Sequence, residues 1–135
     1  MRALHVRHGA AFLLLWSPGP PDHPLHRGGD DKKAREIVEA AQPTGLAWPT
    51  HELCSLVAGL AACDRVVCSD GSAMHIAAAL GKPIVCFFCN SDARRWRPRG
   101  VPHVPLQPGS LDVTDVSVDQ ALGAYESLAA LAPAG

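Results

Sequence analysis

The sequence lacks three things: an excess of basic charge, an apolar run long enough to cross a bilayer, and any internal repeat or low-complexity tract. Twelve Lys plus Arg against thirteen Asp plus Glu argue against a nucleic acid as partner, because a phosphate backbone selects a clear basic excess. No stretch approaches the ~20 apolar residues of a membrane-spanning helix. The start, "MRALHVRHGAAFLLLWSPG", has the charged and apolar parts of a short secretory signal, but no small-x-small cleavage site follows. Ser17-Pro18-Gly19 reads better as the turn after a strand. Cysteines are few and odd in number: five, without framework spacing, which fits a reducing cytoplasm where they act as small apolar residues.

What is present is a hydrophobic content of 47% in 135 residues, enough for one domain, 1–135, with a single core. Phe12 to Trp16 is a continuous apolar run, as expected of a strand buried on both faces. A loop rich in Pro and Gly, "PGPPDHPLHRGGDD", leads to Asp30 and Asp31, which open a helix where carboxylates favour the N-terminal dipole. Ala34, Ile37, Val38 and Ala41 fall at helical spacing, and Pro43 with Gly45 stops that helix. A short strand over 46–48 leads to Thr50, read as the cap of a helix that buries Leu53, Leu56, Val57 and Leu60. Strands follow over 65–68 and 83–88, with a helix over 72–80 between them, closed by Gly81 and Pro83. Residues 101–106 are extended. Ser117 starts the last helix, with Gln120 completing a capping box and Val118, Ala121, Leu122, Tyr125 and Leu128 on one stripe. Strands alternating with helices imply an α/β, Rossmann-like parallel sheet with helices on both faces. Ligands of such sheets sit at the carboxyl ends of strands.

One such end carries "SDGSAMH". A strand, then Gly71-Ser72, then a helix start leaves several backbone N–H groups unpaired and pointing one way, with the helix dipole adding positive charge. A phosphate suits that place. Gly71 allows close backbone approach, and Ser72 and His75 can donate side-chain hydrogen bonds. Asp70 either accepts backbone N–H bonds within the loop or caps the helix. The local residues alone also fit a tight turn with a cap and a satisfied histidine, and they leave both readings open.

The longer stretch "CSDGSAMHIAAALGKPIVCFFCNSDARRWRPRGVPH" closely resembles the C-terminal half of the heptosyltransferase family (glycosyltransferase family 9), bacterial enzymes of lipopolysaccharide core biosynthesis. The matching positions are Asp70, Gly71, Ala73, Met74 and His75, then Gly81, Lys82, Pro83, Trp96 and Pro98. "LLLWSPGPPDHPLHRGGDDKKA" and "DVTDVSVDQALGAYESL" also resemble segments of the family. The resemblance implies a donor-binding domain, half of a two-Rossmann-domain glycosyltransferase, that lacks its first strand. Residues 1–11 have no family counterpart and are expected to be a non-native or disordered start.

By that resemblance Asp70, Gly71, Ser72, Ala73, Met74 and His75 meet the donor's diphosphate. Asp30 and Asp31 lie near the donor's sugar or ribose, and Thr50 near the nucleotide. The donor is expected to be an ADP-linked sugar, the acceptor a lipid-linked glycan, and the location cytoplasmic, with peripheral attachment at the inner membrane. No cofactor and no metal are implied. The acceptor and the catalytic residue belong to an N-terminal domain or partner chain, so this chain alone is expected to be inactive. The apolar run Phe12 to Trp16, next to the lacking strand, leaves a strand edge open, so self-association is expected. Two departures stand out: Ser72 and Cys89 occupy positions where the family usually has Gly. The reading from another class is a non-catalytic module that binds a nucleotide or packs against a partner.

Other motifs support less. "VRHG" (6–9) matches the phosphate-binding motif of histidine phosphatases, but the Phe12 to Trp16 run leaves little room for the helix that should follow. Asp22, His23, His26 and Asp30 are metal-ligating types in a Pro-rich loop, which rarely holds such geometry. Cys86 and Cys89 face opposite sides of a strand, against a redox pair. The arginines of "RRWRPR" read as a solvated loop, with phosphate or anionic lipid as the alternative.

Overall fold

The computed structural model of the protein describes residues 1–19, 30–41 and 44–131. Internal contacts divide the chain into two compact units, Met1–Gly59 and Leu60–Gly135.

The first unit begins with a helix, α1 (Arg2–His8), where an unstructured start was expected. Arg, Ala and Leu are good helix formers, Leu4 is buried, and Gly9 ends the helix at φ 64°, donating its N–H to the His5 carbonyl at 2.8 Å. The Arg2 side chain donates to the Ala40 carbonyl at 3.0 Å, fixing α1 to the end of α2 (Asp31–Ala41). Strand β1 (Phe12–Trp16) pairs in parallel with β2 (Gly45–Pro49), Phe12 opposite Gly45 and Trp16 opposite Pro49. β1 is half-buried along its length rather than buried on both faces, because β2 is its only strand partner among the described residues and β2 is itself mostly exposed.

Helix α2 buries Ala34 and Ala41, while Ile37, expected on the same face, is exposed. Helix α3 (Leu53–Ala61) comes three residues after Thr50, so Thr50 is not its cap. Instead the Thr50 N–H and hydroxyl both bond the Trp16 carbonyl, at 2.9 and 2.8 Å, extending the β1–β2 ladder by one residue. Leu53 is exposed at the start of α3. At Gly59 the helix comes so close to β1 that an added Cβ would lie 2.7 Å from a Leu15 methyl.

The second unit holds a three-stranded sheet in the order β3 (Val66–Ser69), β4 (Ile84–Phe87), β5 (His103–Leu106), with both pairings parallel. Helix α4 (Ser72–Ala79) makes the crossover from β3 to β4, and Gly81 at φ 74° turns the chain back towards β4. Val85 on β4 packs with Ala124 and Leu128 of α6 (Val118–Leu131), and Val104, Leu106 and Tyr125 close the cluster. Ile84 and Cys86, fully buried, point to the opposite face by the two-residue alternation of a strand. α4 packs against β3 and β4 and buries Met74 and Ala77.

Between β4 and β5 lies a four-residue helix, α5 (Ala93–Trp96). The arginines expected in a solvated loop start on α5. Asp92 caps it by accepting the Arg94 N–H at 2.9 Å, and Pro98, fully buried, anchors the segment beyond. α6 has the expected capping box: Ser117 N–H to Gln120 Oε1 at 2.8 Å, and Gln120 N–H to Ser117 Oγ at 3.1 Å. On its stripe Leu122 and Leu128 are buried, Ala121 and Tyr125 half-buried and Val118 exposed, while Ala124, not expected on the stripe, is buried too. Among the described residues the five strands form two sheets, not one, and no helix is long and apolar enough to cross a membrane.

Candidate functional site: the turn from β3 into α4

β3 ends at Ser69, and the Asp70 N–H still bonds across to the Phe87 carbonyl at 2.8 Å, so the chain leaves the sheet only at Gly71. Gly71 takes φ 148° and ψ −168°, a backbone state that L side chains rarely adopt, and stands as the N-cap of α4. No side chain caps the helix. The Gly71 carbonyl accepts from Met74 and His75 N–H groups at 3.2 and 3.4 Å, which starts the helix. The N–H groups of Gly71, Ser72 and Ala73 have no partner among the described residues, as the geometry of a helix start dictates.

Asp70 neither caps the helix nor ties the loop through its carboxylate, the two roles open to it from sequence. Its charge is felt by two thiols instead. Burial pushes the Cys68 thiol up to about 11, with the Asp70 carboxylate adding to it. Burial, then Cys68 and Asp70, push Cys86 up to about 12. These thiols stay protonated at neutral pH and supply no nucleophile. Cys86 is buried in β4 and Cys89 is exposed beyond it, as the spacing predicts, so they make no redox pair.

Of the sequence candidates, Asp70, Gly71, Ser72, Ala73, Met74 and His75 are contiguous on this turn and the first turn of α4. Met74 is fully buried and holds the helix to its unit; Gly71, Ser72 and His75 are exposed. The exposed side chains of Ser72 and His75 make no hydrogen bond among the described residues, so their donors are free. The turn itself offers an anion three N–H groups and the Ser72 hydroxyl, while the His75 ring lies against Trp96. Ser72, one of the departures from the family pattern, therefore adds a donor on the open side of the turn.

Two of the other candidates, Asp31 and Thr50, converge on Trp16 in the first unit. Asp31 accepts the Trp16 indole N–H at 2.6 Å and the Gly19 N–H at 3.3 Å. Thr50 bonds the Trp16 carbonyl. Asp30 is exposed, 3.9 Å from the Lys33 ammonium. Asp22, His23 and His26 lie outside the described residues, and among those described no group of three His, Cys, Asp or Glu is placed to hold a metal ion.

The sequence reading missed a cleft on the flank of α4. It has a volume of about 400 Å³ and is lined by His75, Ala78 and Ala79 of α4 and by Arg95, Trp96, Arg97 and Arg99. The His75 and Trp96 rings meet edge to face, 6.5 Å apart, and the Arg95 guanidinium lies over the Trp96 ring at 5.6 Å. The signal was the "RRWRPR" run itself; what sequence could not show was that α5 aims it at His75.

Parallel strands, intervening helices and a glycine turn at a strand's carboxyl end make this an α/β Rossmann-like protein, and solved structures of the same fold agree. The model of glycosyltransferase family 9 (heptosyltransferase) matches residues 3–107, and the chain belongs to that family. The match takes in α1 from residue 3 onward, so the start that was expected to have no counterpart has one. E. coli ADP-heptose lps heptosyltransferase II superposes with a TM-score of 0.72 at 20% identity, over 96% of this chain and 39% of that one. The glycosyl transferase family 9 structure from Veillonella parvula DSM 2008 gives 0.66 at 17% identity, over 97% of this chain and 50% of that one. The chain thus spans half or less of each of these two structures. No curated protein matches it.

Proposed function

We propose that this chain, both units together, is the donor-binding domain of a heptosyltransferase-like glycosyltransferase. The turn formed by Asp70, Gly71, Ser72, Ala73, Met74 and His75 receives the diphosphate of a nucleotide-sugar. The observation that carries this reading is the run of unpaired N–H groups at Gly71, Ser72 and Ala73, at the carboxyl end of a strand, in a chain of glycosyltransferase family 9. As the sugar leaves, negative charge builds on the diphosphate. Fixed N–H groups, the His75 ring and the Ser72 hydroxyl stabilise that charge without having to reorient. An ADP-linked heptose is the donor we favour, since one structure of the same fold is an ADP-heptose lps heptosyltransferase. A lipopolysaccharide core glycan is the matching acceptor. Its site and the catalytic residue belong to a further domain or a partner chain. Asp31 and Thr50 set the end of β1 through Trp16.

Thermal denaturation with ADP, UDP and GDP at millimolar concentration tests the reading. A bound nucleotide at 100-fold excess over its Kd raises the midpoint by on the order of 5 °C or more. Ser72→Asp keeps the helix, because a carboxylate is welcome at a helix N-terminus, yet it repels the diphosphate and abolishes the shift. His75→Ala weakens the shift without unfolding the chain. An unchanged midpoint with all three nucleotides would defeat the proposal.

A further inference from the structure

We propose that the cleft between α4 and the arginine run 95–99 is a second anion site, one that binds a phosphate or diphosphate group through Arg95, Arg97, Arg99 and His75. This goes beyond the donor reading, because it needs neither the N–H groups of the turn nor any particular sugar.

The first argument is charge. The chain as a whole carries a formal charge of −1, yet the lining of this cleft holds three guanidinium groups and no carboxylate. None of the three is in an ion pair among the described residues. Asp92, the acid nearest in sequence, spends its carboxylate on the Arg94 N–H.

The second argument is fixation. Arginines on a solvated loop spread apart and lose little by doing so. Here the segment is pinned at one end by the capped helix α5 and at the other by the buried ring of Pro98. The Arg95 guanidinium is held over the Trp96 ring, which orients the fork before a ligand arrives. Guanidinium forks match phosphate oxygens two at a time, and a preset fork loses less freedom on binding.

The third argument is room. Ala78 and Ala79 give the α4 wall only methyl groups, so the cleft stays open between helix and arginines. His75, one turn from the start of α4, lines it and is the one side chain shared with the turn.

The test is a titration of the isotopically labelled chain with inorganic pyrophosphate, followed by nuclear magnetic resonance. The Trp96 indole N–H, assigned with Trp96→Phe, reports on the cleft; the amides of Gly71, Ser72 and Ala73 report on the turn. Saturable movement of the Trp96 indole is expected. The triple variant Arg95→Gln/Arg97→Gln/Arg99→Gln, all exposed positions, keeps its dispersed spectrum and binds at least about tenfold more weakly, the loss of roughly one charge-assisted bond. Ser72→Asp leaves the indole response in place even where it silences the turn amides, so failure of the donor reading and failure of this one look different. Vesicles of phosphatidylglycerol, against phosphatidylcholine as the control, separate the sources. Competition with pyrophosphate assigns a lipid headgroup phosphate, and no competition assigns a soluble phosphate ester. An indole that does not move at millimolar pyrophosphate, or a triple variant that responds like the parent, overturns the proposal.

Discussion

Gly71 has open space around its missing side chain, so nothing there would clash with a methyl group. Its requirement is conformational: φ 148° with ψ −168° lies in a region open in practice only to glycine, at a cost of about 1–3 kcal/mol for any other residue. We expect Gly71→Ala to lower stability by that amount in urea denaturation, with an unchanged slope. A variant as stable as the parent would mean that the turn relaxes at no cost. The thiols make a second prediction at this scale. Cys54 and Cys89 are exposed, whereas burial raises Cys68 to about 11, Cys86 to about 12, and Cys63 above its ordinary value of 9.0. At pH 8 a chromogenic thiol reagent should label two cysteines quickly and the other three only on unfolding. The linkage has a definite sign. A thiol raised in the folded state is protonated in both states below pH 9, so its stabilising effect is complete there. Between pH 9 and about 11 to 12 the unfolded chain loses the proton first, and stability falls. Cys68→Ala with Cys86→Ala should flatten that part of the profile. The turn itself was legible in the sequence, because Gly-Ser before an apolar helix has few other uses. What Asp70 does was not, since a carboxylate can cap, brace or simply lend charge, and only coordinates tell these apart.

At the scale of single elements, the end signals that read correctly were those with a chemical mechanism. The Ser117–Gln120 box predicted the start of α6, and its two reciprocal hydrogen bonds are both present. Ser117→Ala removes one of them and should cost about 1 kcal/mol by thermal or urea denaturation. Ser117→Asp should restore most of it, while an Ala variant with no loss would mark the box as redundant. Gly81 ended α4 as its position foretold. Periodicity failed where the element is too short to show any: α5 has one turn, and a pattern of apolar positions needs two or three turns to be read. α1 was hidden differently, by a basic composition that suggested a leader or a phosphatase motif, although its Ala and Leu residues favour helix. Thr50 misled for a third reason. A threonine after a strand and before a helix is a favoured cap, but here its hydroxyl turns back to the sheet, bonding the Trp16 carbonyl of β1.

For the molecule as a whole, alternation of strand and helix foretold parallel pairing, and among the described residues every strand pair is parallel. That the strands fall into two sheets was beyond the reach of sequence, because apolar runs specify a sheet interior without naming the neighbouring strand. The length of the chain bears on activity. It spans 39% of the E. coli heptosyltransferase II structure, and sugar transfer needs donor and acceptor held in near-attack geometry. We therefore expect the 135-residue chain alone to show no transfer from an ADP-linked heptose in a coupled ADP-release assay, while still binding the nucleotide; turnover above the buffer background would contradict this. The sheet of the second unit governs how the Gly71 turn is held over time. β4 has a strand on each side and three consecutive residues, Ile84, Val85 and Cys86, shut away from water, whereas among the described residues β3 has a partner on only one side. Local opening should therefore begin at β3 and reach β4 last, and amide hydrogen exchange should be slowest at the β4 core. The Gly71 turn hangs from the strand that opens earlier, tied to the slow one by the Asp70 to Phe87 bond. A nucleotide that closes on the turn should thus slow exchange in β3 more than in β4, so protection factors would report occupancy at a distance from the phosphates.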